Sequence, residues 1–523
     1  MKLFTLTFRL LAGSAVVFAS NTSSGCLCTS DDPCWPSAST FAQLQSQVSQ
    51  PLIYPHPTAY ACYPVSNPSG NCTEVEENYM NGNWRSSMPG SMDTPYFETF
   101  IFANGTGTCS QGSVPVIGVD ARSPADIQAA VNFAVKYNLK LVVKNTGHDY
   151  LGRSTARGSF VVWTHNMKNI TYSPAFVPLG APANETDDAV TLSAGVEWQE
   201  AYGTVNQYGR MMVGGISAGG SIGAAGGWLA GGGHSILSPN YGLGVDNAIE
   251  MTVVLSTGDH VTANEHQFSD LFWALRGGGG ATYGIVTSVT YHTYPSLPVQ
   301  MYSCQANFTN ATAMEESVAE LMHSQIQFTD DGWGGYGAMS NSSLYFILVG
   351  PNMSAEAANA GTRAWTEYAQ SLEQYGVSSE AGIVGYPSWY DWYMSLPSFF
   401  SAGASDGLNI MFTSRLLSRD TLENKYKNVT KMLLDCGASF NMIAGGKVNQ
   451  VDPDSAGLNP AWRNAIVEAV CGFSWEDGTS HEDLQVQIKQ LKSWINAMHD
   501  LTPSDGAYFN EVCGQTCRAF FVG

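Results

Sequence analysis

Half of the twenty residues from Gly214 to Gly233 are glycine, and most of the others are alanine or serine. Such a composition has poor helix and strand propensity and too little side chain to build a core. A stretch of this kind is useful for what its backbone can approach, and a flat, extended ligand would explain why side chains are missing over so many positions. A flexible linker is the competing reading. Ile222, Trp228 and Leu229 interrupt the tract, however, and Gly/Ser linkers carry no buried apolar anchors.

Upstream, Leu139 to Lys144 is a short apolar run bounded by Asn138 on one side and by Asn145 and Gly147 on the other, which reads as a buried strand entering a tight loop. The loop, NTGHDYLGRS, sets small residues where backbone N–H groups can approach an anion such as a pyrophosphate, and it places His148 beside them. The helix before the strand is well signed: Ser123 as N-cap, Pro124 at the first helical position and Asp126 completing a capping box. Ile127, Val131, Ala134 and Val135 recur at helical spacing as its expected buried face, so the unit is strand, helix, strand, glycine loop.

Gly215-Ile216-Ser217-Ala218-Gly219 also matches G-x-S-x-G, the nucleophile elbow of serine hydrolases. An elbow must open into a helix. Here glycine follows at 219, 220, 223, 226 and 227, each costing about 1 kcal/mol in a helix interior, so the hydrolase reading fails on context.

Taken in order, the histidine loop, the glycine tract, GLGVDNAIEMTVVLSTGDHV and DLFWALRGGGGATYGIVTSVTYHTYP resemble the FAD-binding domain of the vanillyl-alcohol oxidase superfamily, the PCMH-type fold. Within it they are most similar to berberine-bridge-enzyme-like flavoproteins of fungi, including the isoamyl alcohol oxidase group. The match runs from about Ile117 to Pro295. The resemblance implies an α+β protein: a two-part PCMH-type FAD-binding domain and a second α+β substrate domain laid over the flavin. It also implies FAD attached covalently through His148, because a neutral imidazole nitrogen can attack the flavin 8α carbon. Some relatives add a cysteine attachment at the start of the glycine tract, but the corresponding positions here are Gly219 and Gly220, and no cysteine lies between Cys109 and Cys304. Single attachment is therefore expected. By the same resemblance Lys144, Asn145, Thr146 and Gly147 cradle the pyrophosphate, Asp149, Gly152 and Ser154 continue the loop, and Gly215, Gly219, Gly220, Gly223, Gly226 and Gly227 approach the cofactor. Tyr508 and Asn510 resemble a Y-x-N motif near flavin or substrate, with Tyr508 the candidate base.

The implied activity is hydride transfer from a small alcohol, amine or secondary-metabolite intermediate to the flavin, with O2 reoxidising it. An oligosaccharide oxidase and a non-catalytic flavin binder are the alternatives. The second arises because the chain ends at CGQTCRAFFVG, where relatives continue, so weak turnover is expected.

A chain of 523 residues suggests two domains. We place a cleaved secretory signal at 1–19, the flavin domain at 20–297, the substrate domain at 298–475, and a return to the flavin domain at 476–523, in which Ser480 and Asp483 open a helix with Leu484, Ile488, Leu491 and Ile495 as its buried stripe. Loss of Lys2 and Arg9 with the leader moves the net charge from −21 to −23, which argues against nucleic acid or anionic membrane as partner. A secreted monomer is expected. Ten N-x-S/T sequons fit a secretory route, and disulfides are expected within the cluster Cys26, Cys28, Cys34, Cys62, Cys72 and Cys109. No histidine pair completes a zinc site, so no metal is assigned. The aromatic segment around Trp389, Tyr390, Trp392 and Tyr393 is read as core more than pocket.

Overall fold

The computed structural model describes residues 26–100, 109–396 and 406–511. The expected leader, the sequons at Asn21 and Asn104, and Cys513 and Cys517 lie outside them.

The flavin-side half is built on two larger sheets. Strands β1 (Ile117–Asp120), β2 (Leu141–Lys144) and β3 (Phe160–Trp163) form a parallel sheet in the order β1-β3-β2. Helix α1 (Pro124–Lys136) connects β1 to β2, and both halves of its capping box are present. Its buried face is Ile127, Ala130, Val131, Phe133 and Ala134, whereas Val135, expected to be inside, is 62% exposed. Phe133 and Ala134 are buried in the same last turn, and Val135 lies at the edge of the buried stripe, rotated toward solvent. β1 and β3 are buried on both faces, as parallel strands are, because α1 covers one side and the rest of the half covers the other. Strands β4 (Ile170–Phe176), β5 (Asp187–Ser193), β6 (Ala248–Val254), β7 (His260–Asn264) and β8 (Ile285–His292) make an antiparallel sheet ordered β7-β6-β8-β5-β4. The glycine tract lies between β5 and β6 in sequence and forms only turns and two short helical pieces.

The second half is one seven-stranded antiparallel sheet built from β9 (Val299–Asn307), β10 (Gly334–Met339), β11 (Ser343–Pro351), β12 (Ser378–Tyr386), β13 (Asn409–Ser418), β14 (Ser439–Met442) and β15 (Ala465–Trp475). The order is β12-β9-β11-β10-β14-β15-β13. Alternation decides its two faces. Cys304, Phe346, Leu348, Phe440, Val467, Ala469 and Cys471 pack with helices α2 (Ala311–Asp330), α3 (Ala355–Ser371), α4 (Tyr426–Cys436) and α5 (His481–Leu501). The opposite residues Ile347, Val349, Leu416 and Tyr336 join the core of the flavin-side half. Glu468 pairs in register with Leu416 and Asn441 and so belongs to this inner face.

Helix α5 corrects one expectation. It packs on α4, β13 and β15, not on the flavin-side half, and its buried residues are Leu491, Trp494, Ile495 and Met498, with Leu484 and Ile488 only half-buried. The segment after it makes the return: Tyr508 joins the flavin-side core and Asn510 bonds to Gly227. That segment is a 3-10 turn over Phe509–Glu511. The two halves are further tied by Arg463, whose guanidinium donates to both oxygens of Asp246 at 2.8 and 2.7 Å while both are buried. Trp389, Trp392 and Tyr393 are core, Trp389 and Tyr393 packed against Tyr202 and Trp392 against Trp389. Disulfides join Cys28 to Cys34 and Cys62 to Cys72. No described helix is long and apolar enough to cross a membrane.

Candidate functional site

A cleft with ≈ 920 Å³ of empty space, part of it open to solvent, runs between three backbone walls. One wall is the histidine loop, contributing Asn145, Thr146, Gly147, His148, Asp149 and Ser154. The second is the glycine tract from Gly223 to Ala230. The third is Gly279 to Val286. The third wall was legible in the quoted GGGGATYG motif but was not assigned to the site.

The glycines divide into two kinds. A Cβ on Gly226 or Gly227 would meet nothing within 4 Å among the described residues, so these positions face open cleft. A Cβ on Gly215 would lie 2.9 Å from the Trp228 ring nitrogen and 3.1 Å from Trp198, and one on Gly220 would collide with Tyr393 and Gln199. Gly219 abuts Asn83 in the same way. Gly215, Gly219 and Gly220 are therefore closely approached by side chains and are not part of the cleft lining. Gly223 does line it, against the Asn145 amide.

The loop is organised by Asp149. Its carboxylate accepts from the backbone N–H of Ser154 at 2.7 Å and of Leu151 at 3.3 Å, and from Arg153 Nε at 3.0 Å. The Ser154 amide is thus engaged within the loop. Gly152 holds a left-handed φ of +72° against the Phe97 ring, a turn position away from the cleft lining. Lys144 is also displaced from its expected role: its ammonium is buried, donates to Met88 O at 3.0 Å and lies over Trp163, and burial pulls its pKa down to about 7.

His148 lines the cleft, with one ring nitrogen bonded to Ser221 and the other near Asp93. Nε2 is 2.8 Å from Ser221 Oγ and Nδ1 is 3.5 Å from Asp93 Oδ1. Burial lowers its pKa, so the imidazole is neutral. Asp406 completes the cluster. Burial, reinforced by a hydrogen bond and charge repulsion from Asp93, pushes its carboxyl up to about 8. Sequence offered no signal for Asp93, Ser221 or Asp406, which come from distant segments. No cysteine lines the cleft among the described residues.

Asn510 reaches the cleft rim. Its Nδ2 donates to Gly227 O at 2.9 Å and to the Tyr508 hydroxyl at 2.8 Å, and its Oδ1 accepts from Arg153 Nη2 at 2.9 Å. Tyr508 sits edge-on to His234 and Trp462. Burial raises its phenol well above the ordinary value, so at neutral pH it is a hydroxyl and not a ready base, which corrects its assigned role. A buried carboxyl close to it was missed. Glu468, fully buried, accepts from Asn441 at 3.2 Å and gathers with His234 and Glu511 within 4.8 Å. Burial, with Glu511 nearby, raises its carboxyl strongly. One acid inside the apolar strand AIVEAV was the available signal. Buried Ser217 has no hydrogen-bond partner for its hydroxyl among the described residues, so nothing activates it as a nucleophile.

Known proteins share this architecture. Residues 115–264 match the family model of an FAD binding domain. An uncharacterized FAD-linked oxidoreductase of Arthroderma benhamiae is 36% identical over 520 residues, covering 93% of this chain and 87% of the relative. The crystal structure of the VAO-type flavoprotein MtVAO615 from Myceliophthora thermophila C1 superposes with a TM-score of 0.84 at 27% identity, over 93% of this chain and 90% of that one. A berberine bridge enzyme variant, a reticuline dehydrogenase, shares the fold at 14% identity, with a TM-score of 0.62 over 83% of this chain and 82% of its own. The chain belongs to the FAD-linked oxidoreductases of the VAO type and has their mixed PCMH-type fold.

Proposed function

We propose that His148 carries the flavin as its single covalent attachment, and that the protein oxidises a carbon–hydrogen bond of a small alcohol, amine or secondary-metabolite intermediate with O2 as final acceptor. The observation that carries this reading is a neutral, buried histidine on the lining of a glycine-walled cleft. The residues present fit FAD. Gly226 and Gly227 leave a flat wall, and two buried polar groups at the cleft, the Asn145 side-chain amide and Arg153 Nη1, have no partner among the described residues. An uncharged amide and a cation are suitable neighbours for a flavin and its diphosphate.

When bound, the flavin supplies the hydride-accepting chemistry. The chain orients and handles protons. Ser221 holds the His148 ring at Nε2, and a neutral imidazole that donates Nε2–H there keeps its Nδ1 lone pair for bond formation. Arg153 holds a positive charge at the cleft, and through Asn510 it fixes Tyr508. Glu468, on the inner sheet face, takes the substrate proton. Burial raises its carboxyl strongly, and a carboxylate with a raised pKa is the stronger base once ionised. Secretion is part of the proposal, supported by two disulfides and by exposure of all eight described sequon asparagines. The test is oxygen uptake with peroxide detection over a panel of primary alcohols, amines and sugars. Turnover of alcohols or amines with stoichiometric peroxide supports the proposal, and turnover of oligosaccharides alone refutes its substrate class.

A further inference from the structure

We infer that Cys436 and Cys471 form a third disulfide, one that staples α4 to the strand carrying Glu468. Cys436 is the last residue of α4, and β14 begins three residues later. β14 pairs antiparallel with β15 through Ser439 and Val470, which brings the chain at Cys436 back alongside Cys471. Cys471 is 4% exposed, Cys436 packs against the same hydrophobic cluster, and their thiols are in hydrogen-bonding contact. The other buried thiol, Cys304, is instead engaged by the Trp365 ring nitrogen at 3.4 Å. Two thiols in contact within one packed layer need only a small displacement to join.

The step is thiol–disulfide exchange with a small-molecule or protein disulfide. The Cys436 thiolate attacks one sulfur of that oxidant and releases its partner as a thiol. The Cys471 thiolate then attacks the mixed disulfide at the Cys436 sulfur and releases the second thiol, so two electrons and two protons pass to the oxidant. The hydrogen bond with Cys471, together with burial, raises the Cys436 thiol, which makes the folded pair slow to react and sets closure during folding.

The chemistry is independent of the flavin. The experiment takes the full chain secreted from a eukaryotic host, alkylates it in denaturant without reductant and digests it with trypsin. Cleavage after Lys431, Lys447, Arg463 and Lys489 isolates Cys436 in 432–447 and Cys471 in 464–489, each as the only cysteine of its peptide. The expected result is the two peptides joined, and separated by reductant. Either peptide found alkylated, or linked to any other thiol, overturns the inference. As a second reading, Cys436→Ser lowers the unfolding midpoint of the oxidised protein more than that of the reduced protein, and equal shifts in both would contradict the staple.

Discussion

Gly227 and Gly215 are both glycines of one tract, and the structure gives them opposite jobs. Consider Gly227→Leu and Gly215→Ala, each made in a His148→Ala background so that flavin binding is reversible. Gly227 opens a short helix, and its added side chain would enter the empty cleft. Glycine costs a helix about 1 kcal/mol, so the leucine variant should be as stable without flavin as its parent, or more so by up to about that amount. The same side chain overpacks an occupied cleft. At about 1–3 kcal/mol for overpacking, FAD affinity falls roughly 5- to 150-fold, since about 1.4 kcal/mol is tenfold. Gly215→Ala reverses the pattern: its methyl lies 2.9 Å from Trp228 and 3.1 Å from Trp198, so the flavin-free fold loses about 1–3 kcal/mol while no side chain is added to the cleft itself. Urea denaturation of the flavin-free proteins and a fluorescence titration with FAD give both quantities. Loss of stability in Gly227→Leu, or unchanged FAD affinity, would show that Gly227 packs on protein and that the cofactor lies elsewhere.

Two further outcomes follow from the titrating groups. Asp406, with its folded pKa raised to about 8, favours the protonated form on folding, so its contribution is present below the ordinary carboxyl range and is lost as pH rises. Between pH 4.5 and 7 the native chain should lose stability relative to Asp406→Asn, by at most about 3 kcal/mol at about 1.4 kcal/mol per unit. Parallel urea midpoints across that interval would contradict the raised carboxyl. Glu468→Gln copies the protonated acid and keeps an acceptor for Asn441, so stability should change by less than about 1 kcal/mol while kcat falls roughly 10²- to 10⁴-fold. An unchanged kcat on a substrate found in the screen would move the proton acceptor elsewhere.

The cleft walls were legible from sequence because backbone chemistry leaves a local trace: the capping box at Ser123, the glycine at 147, the open tract at 226 and 227. The groups behind His148 were not. Asp93, Ser221 and Asp406 meet only through tertiary packing, and nothing local distinguishes them from other polar residues. Lys144, Gly215, Gly219 and Gly220 show the converse, since a residue inside a motif also has close protein neighbours that sequence does not reveal, a backbone carbonyl for Lys144 and packed side chains for the glycines. Val135 failed because it lies at the edge of the apolar stripe, while Phe133 and Ala134 carry the burial of the last turn.

The central claim is that His148 joins the flavin to the chain. Acid precipitation of the purified protein separates bound from free flavin. Yellow colour should stay with the denatured polypeptide, and with a flavin-bearing peptide spanning His148 after digestion, while His148→Ala releases all of it. Free FAD in the supernatant of the unmutated protein, or flavin retained by His148→Ala, would contradict the account.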